Sequence, residues 1–267
     1  MIANPEQCAI VVPSCDAYSD LWAPFFCLFF RHWPDCPFKV YLGSNTLSFA
    51  DSRAAVLKSG HGLDWATNSL DYLGQIREPV VLLWLEDFFL RSQVNSGAVS
   101  GIYREFCRRD AHMFRLVRRP GPTSLLPEGC FGPIRPGTPY RVSTQAAFWR
   151  RETLMSLIQP GESIWQFERA GSVRSNSYAD GFYAVARDVV PYKHHVVQQG
   201  QWFPWEAWRF SRLNVGCDFS KRPIMPMRKA SAWLVRKAVS VLAESFHLRA
   251  PLRRAVLRFK PGSRVED

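Results

Sequence analysis

Residues 79–90, PVVLLWLEDFFL, are an apolar run that delivers two adjacent carboxylates, Glu86 and Asp87. Carboxylates are seldom left buried unless a hydrogen-bond donor, an arginine or a cation meets them. The chemistry open to this pair is therefore the binding of a divalent metal, a ribose hydroxyl or an arginine, and the plain alternative is a solvated strand end. A run of this length, apolar on both faces, reads as a central strand covered by helices on both sides. Ligands of such sheets gather where the strands end.

The elements that position the pair follow from periodicity. Residues 8–15, CAIVVPSC, read as a strand leading into a polar turn at residues 16–20; Leu21, Phe25, Leu28 and Phe29 then fall at helical spacing. Asp20 is the expected cap of that helix, and Pro24 fits only within its first turn. Residues 38–42 read as a second strand closed by Gly43, Ser44 and Asn45. Asp64 is the expected cap of a helix whose Trp65, Tyr72, Leu73 and Ile76 share a face, and Asn95 or Ser96 of one carrying Val99, Ile102, Tyr103 and Phe106. The alternation up to Asp87 is β, α, β, α, β. A further strand is expected over residues 111–117. Residues 120–139 hold six prolines and four glycines, which suits a mobile loop or lid better than regular structure. Residues 140–149 read as a strand, 152–158 and 162–168 as short helices, 181–197 as edge strands and 200–208 as an aromatic loop.

Composition bounds the function. With 267 residues, 47% of them hydrophobic, the chain can bury one sizeable α/β core. Its apolar runs fall short of the roughly 18–20 residues a membrane span requires. Glu6 before the first apolar run, with no basic stretch ahead of it, does not suit a secretory signal, so a cytoplasmic location is expected. The seven cysteines are scattered without a C-x-x-C pair, arguing against a disulfide framework or zinc knuckle. The net charge of +11 attracts polyanions. Part of that excess lies over residues 228–260, where nine Lys or Arg face the single acid Glu244. Residues from Ser231 onward read as a basic amphipathic helix, with a second short one after Pro251. The phosphate-loop, dinucleotide-fingerprint, zincin and nucleophile-elbow signatures are missing from the sequence.

The blocks at residues 11–22 (VVPSCDAYSDLW), 38–45 (FKVYLGSN), 82–90 (LLWLEDFFL), 140–149 (YRVSTQAAFW) and 160–168 (PGESIWQFE) together resemble a family of bacterial GT-A-type glycosyltransferases associated with surface polysaccharide assembly. The resemblance covers residues 8 to about 208. It implies a GT-A-like, Rossmann-like α/β fold, a mostly parallel sheet flanked by helices; with the basic helical tail, which it does not cover, the expected division is residues 1–226 and 227–267. It further implies that Asp16, Tyr18, Ser44 and Asn45 bind the nucleotide of a nucleotide-sugar donor. Glu86 and Asp87 then stand in for a D-x-D motif, Asp87 being the preferred ligand for Mn2+ or Mg2+. Adjacent residues of an extended strand face apart, which weighs against strict metal dependence. Glu168, with Glu162 second, is the implied acceptor base; the helix dipole favours an acid at Glu162 without catalysis, and a solvated face beside Arg169 and Arg174 does the same for Glu168. His194 or His195 is a further candidate metal ligand and Trp202, Trp205 and Trp208 a candidate sugar-stacking wall, each against ordinary edge-strand or core packing.

The resulting expectation is a transferase acting on a lipid-linked or polysaccharide acceptor. It is held at the anionic inner face of the cytoplasmic membrane by its tail, with no nucleic-acid partner. Two alternatives stand beside it. One is a nucleotidyltransferase, which usually carries a Gly-rich basic loop after its first strand. The other is a nonenzymatic basic protein binding nucleic acid.

Overall fold

The computed structural model describes residues 4–194 and 196–245, with side chains through Arg236. Aliphatic runs form the strands β1 (Cys8–Val12), β2 (Lys39–Ser44), β3 (Ala54–Lys58) and β4 (Val80–Leu83); every residue of β1 and β4 is buried. Short strands follow at β5 (Phe89–Leu90), β6 (Met113–Arg115), β7 (Phe131–Pro133), β8 (Ala147–Arg150) and β9 (Phe182–Val185). The main sheet has the order β3-β2-β1-β4-β8-β6-β9-β7. Within it, β7 and β8 run against the other strands. The fold class is therefore the one expected, a mostly parallel α/β sheet flanked by helices.

Strand β3 has no counterpart in the expected alternation. It is an edge strand with a half-exposed burial pattern and a terminal lysine, so its apolar signal is weak. Strand β9 lies between β6 and β7, inside the sheet and not at its edge. Pro191 follows it, just before β10 (Tyr192–Lys193), which pairs with β5. The expected lid at 120–139 contains β7, and its turn is closed by Thr123 N–H donating to Pro133 O at 2.8 Å and Leu126 N–H to Phe131 O at 3.0 Å. Proline does not disrupt β7 because the strand is the sheet's last.

Helix α1 (Trp22–His32) grows directly out of a 3-10 turn, Asp16–Leu21, so Asp20 lies inside that turn and is not the cap. Pro24 sits in the first turn, where its missing N–H costs nothing. Phe29 of α1 meets Trp84 edge-on at 5.7 Å, which seats the helix on the sheet. Helices α2 (Trp65–Gln75) and α3 (Ser96–Arg108) are capped as expected, by Asp64 accepting from Thr67 N–H and Asn95 from Ala98 N–H. Helix α4 is Arg151–Leu157. The next helical run begins two residues later than expected, with a capping box between Ser163 and Gln166. It comprises α5 (Ile164–Gln166), a π-helical turn (Phe167–Gly171) and α6 (Ser172–Arg174).

The chain divides into two compact units, one of residues 1–196 with 214–217, the other of 197–213 with 218–267. In the second, the hairpin β11 (Val197–Gln198) and β12 (Gln201–Trp202) leads to α7 (Pro204–Ser211) and α8 (Met227–Ser245). The expected loop at 200–208 is thus half helix, opened by Pro204 in a position that suits proline. Trp202 is buried against Phe219, and Ala230 and Trp233 of α8 pack with Phe203 and Met225. The second basic helix expected after Pro251 lies outside the described residues.

One close approach conditions the site. The Tyr72 ring covers Gly43, so that a Cβ there would lie within 3 Å of three ring atoms, while the Tyr72 hydroxyl donates to Ser14 O at 3.0 Å. Gly43→Ala is expected to displace Tyr72 and destabilise the protein by about 1–3 kcal/mol, the range for overpacking. Urea unfolding of the variant checks this.

Candidate functional site

Strands β1, β2, β3 and β4 are parallel, so the chain leaving each emerges at one edge of the sheet. There the Asp16 carboxylate gathers the turn after β2. It accepts from Ser44 Oγ at 2.8 Å, Asn45 N at 3.0 Å, Thr46 Oγ1 at 2.6 Å, Thr46 N at 3.1 Å and Leu47 N at 3.3 Å. Asn45 answers in both directions. Its Oδ1 accepts from Asp16 N–H at 3.0 Å, and its Nδ2 donates to His61 O at 2.7 Å. Burial tends to raise the Asp16 pKa, but the Thr46 and Ser44 hydroxyls and the backbone N–H groups overcome it and hold the carboxyl at about 2. The structure thus brings Asp16, Ser44 and Asn45 together at this edge. Tyr18 stands beside them in the 3-10 turn, partly buried, its N–H donating to Cys15 O at 2.9 Å.

The acidic pair lies beyond the strand proper. Strand β4 ends at Leu83, Trp84 N–H donates to Val11 O at 3.0 Å, and the indole Nε1 of Trp84 closes the following turn on Phe88 O at 3.0 Å. Glu86 and Asp87 occupy that turn, both partly exposed. The expectation that an extended strand points them to opposite faces is therefore corrected, since a turn imposes no such alternation. The Cys15 thiol is pushed up by burial and then by the charge of Glu86. Asp87 is among the charges felt by the phenol of Tyr192, whose pKa burial raises strongly.

Tyr192 connects this turn to the antiparallel half of the sheet. Its ring stacks on Phe88 at 4.8 Å, its hydroxyl donates to Gln145 Oε1 at 3.0 Å, and it accepts from Ala146 N–H at 3.2 Å. Next to them, Thr144 donates through N–H at 2.8 Å and Oγ1 at 3.0 Å to Glu168 Oε1. Glu168 is partly exposed on the π-helical turn. Residues 140–146 form no strand, in contrast to the expectation, because their polar groups serve these side chains in place of a ladder.

Glu162 is placed differently. It forms a two-point ion pair with Arg174 at 2.8 and 2.7 Å, and Arg174 also donates to Leu157 O. This joins α4 to α6. None of these contacts ties Glu162 to Glu168 or Asp87. His194 packs against Tyr192 at 4.8 Å, whereas His195 lies outside the described residues. Among the described residues no group of three His, Cys, Asp or Glu is arranged to hold a metal. Oxygen donors of the Glu86–Asp87 kind nevertheless suit Mg2+ or Mn2+, which commonly take one or two carboxylates and complete their shell with phosphate and water.

Arg115, Thr144, Gln145 and Tyr192 belong to this edge, yet sequence reasoning did not single them out. The available signal was an arginine inside the apolar strand run FRLV at 114–117. Its partners are backbone carbonyls, which any residue type provides, so they cannot be read from the sequence.

No protein-family model and no curated protein sequence matches the chain. Similar solved structures include Staphylococcus aureus TarS 1–349 in complex with UDP, at 11% identity and a TM-score of 0.47 over 77% of this chain and 63% of that one. Mycobacterium tuberculosis glucosyl-3-phosphoglycerate synthase in complex with Mn2+ and UDP-glucose is similar at 12% identity and 0.44 over 83% and 80%. The 2-C-methyl-D-erythritol 4-phosphate cytidylyltransferase of Thermus thermophilus is similar at 13% identity and 0.42 over 77% and 97%. The chain thus spans less than two thirds of the TarS fragment's length.

The Asp16 arrangement carries a pH dependence. Its folded-state pKa of about 2 lies below the ordinary carboxyl value, so its stabilisation is present above about pH 4 and disappears as pH falls toward 2. Asp16→Asn is expected to be less stable at pH 7 by on the order of 1 kcal/mol, after allowing for solvent screening at a partly exposed group. The difference from wild type should close between about pH 4 and pH 2, as measured by denaturant unfolding across that range.

Proposed function

We propose that this chain is a glycosyltransferase that takes a sugar from a nucleotide-sugar donor. The observation that carries the reading is the arrangement along one sheet edge of the Asp16–Asn45 loops, the Glu86–Asp87 turn that follows β4 and, through the Phe88–Tyr192 stack and residues 144–146, Glu168. In this reading Tyr18, Ser44 and Asn45 border the nucleotide, and Asp16 keeps their loops in place. Asp87, with Glu86 beside it, faces the phosphates and would hold Mg2+ or Mn2+; such an ion supplies neutralisation of the charge on the departing phosphate.

Transfer forms a bond between the acceptor oxygen and the anomeric carbon and breaks the bond from that carbon to the donor phosphate. The nucleotide leaves with the bonding pair, and the acceptor proton passes to Glu168. Glu162 is the weaker base candidate because its carboxylate is committed to Arg174. The acceptor proposed is lipid-linked or polysaccharide, in surface glycan assembly.

Attachment to the inner face of the cytoplasmic membrane is supported by α8. Its Ala230 and Trp233 pack inward, while Met227, Leu234 and Val235 are 61%, 46% and 63% exposed among basic residues. No helix of the described residues is long and apolar enough to cross a membrane. A helix lying in the interface needs only such a stripe with basic flanks.

Turnover of UDP-, GDP- and CMP-sugars, read as nucleotide released, tests the reading. Asp87→Asn should fold normally and lose turnover at least tenfold, because the amide keeps the shape without the charge. Undiminished turnover would remove Asp87 from the site. Glu168→Gln should lower the rate at saturating donor by about 10²-fold or more with little change in donor affinity; a loss confined to donor binding would give Glu168 another role. The full-length double variant Leu234→Glu, Val235→Glu should remain folded and active yet fail to sediment with anionic vesicles at low salt. Unchanged sedimentation would contradict attachment through α8.

A further inference from the structure

Arg115 ends β6 with its side chain fully buried. Its Nη1 donates to Pro120 O at 2.5 Å, and its Nη2 donates to Tyr140 O at 2.8 Å and Arg141 O at 3.0 Å. One guanidinium therefore fastens both ends of the segment 120–140. Removing a cation from water costs several kcal/mol, and the charge-assisted hydrogen bonds to these three carbonyls work against that cost. Burial lowers its pKa to about 10, which leaves it cationic at neutral pH, with the charges of Glu168 and Tyr192 opposing that shift.

The contacts continue from Arg141 toward Glu168. Val142 N–H donates to Ser172 Oγ at 3.1 Å, and that hydroxyl lies 2.6 Å from Glu168 O. Thr144 then grips the Glu168 carboxylate, and Gln145 with Ala146 grips Tyr192. Residues 141–146 act as a short ruler whose origin is set by the guanidinium.

We propose that Arg115 is a positioning residue for proton transfer: by fixing the carbonyls of residues 140 and 141 it sets where Thr144 holds the Glu168 carboxylate. The inference rests on the reading of Glu168 as acceptor base, and the experiment separates the two.

In the full chain, Arg115→Met and Arg115→Lys are compared with wild type, alone and with Glu168→Gln. Two measurements are made: nucleotide release from UDP-, GDP- and CMP-sugars, and hydrogen exchange at the Thr144 amide. Arg115→Met should lower release at saturating donor at least tenfold with donor affinity held within twofold. In the Glu168→Gln background the same change should cost less than twofold, because both act through one carboxylate. Its Thr144 amide should exchange at least tenfold faster, while the amides of β1 keep their protection. Arg115→Lys, which keeps the charge but cannot span three carbonyls, should fall between; if Arg115→Met does not fold, it carries the same comparison. Equal fold-losses in both backgrounds, or an unchanged Thr144 exchange rate, would overturn the inference. If wild type releases no nucleotide from any sugar donor, the transferase reading fails, and the Thr144 measurement still decides whether Arg115 sets the Glu168 contact.

Discussion

Strands β1 and β2 leave the sheet side by side, and the turn after β2 would present a row of backbone N–H groups without partners were the Asp16 carboxylate not there to accept them. That one acceptor decides the shape of the parallel half of the site. Asn45 is turned so that its amide reaches both the Asp16 N–H and the chain after β3, which ties three successive loops into one wall. Gly43 must lack a side chain because Tyr72 lies over it to reach Ser14, the residue that begins the first loop.

The other half of the site exists because β8 runs backwards. An antiparallel strand in the middle of a mostly parallel sheet brings the chain that precedes it, residues 140–146, to the same edge that the parallel strands leave. Thr144, Gln145 and Ala146 then stand opposite the turn carrying Glu86 and Asp87, with Tyr192 between them through the β5–β10 pairing. The buried cation of Arg115 underlies this half much as the Asp16 anion organises the first. In both, a charged group is taken up by backbone partners of the opposite polarity.

What could be read from the sequence was what local chemistry dictates. Strands β1 and β4 are short aliphatic runs buried on both sides, and the caps of α2 and α3 are set by Asp64 and Asn95 a few residues from the groups they satisfy. Asp16, Ser44 and Asn45 were grouped through the resemblance their blocks carry, and the turns after the parallel strands β1 and β2 do leave the sheet at one edge. The acidic pair was legible as a site candidate but not as a turn, since Trp84 and Leu85 continue the apolar run after the strand has ended. Strand β3 was missed for its polar, half-exposed edge character. Strand β7 was hidden among prolines and glycines that an outermost strand tolerates. The Arg115 contacts join residues 5 to 26 positions apart through carbonyls that any residue type provides, so no sequence pattern announces them.

The proposed transfer depends first on a nucleotide binding at this edge with the charge of Asp87 taking part. Thermal denaturation of the wild-type protein and of Asp87→Asn, with UDP, GDP, CMP and their sugars, with and without Mn2+ or Mg2+, measures it directly. The account predicts that one nucleotide class stabilises the wild type, by about 2.7 kcal/mol at a hundredfold excess over its dissociation constant, and that the variant loses most of that gain. A wild-type protein that no nucleotide stabilises, or a variant stabilised as strongly as the wild type, would contradict it.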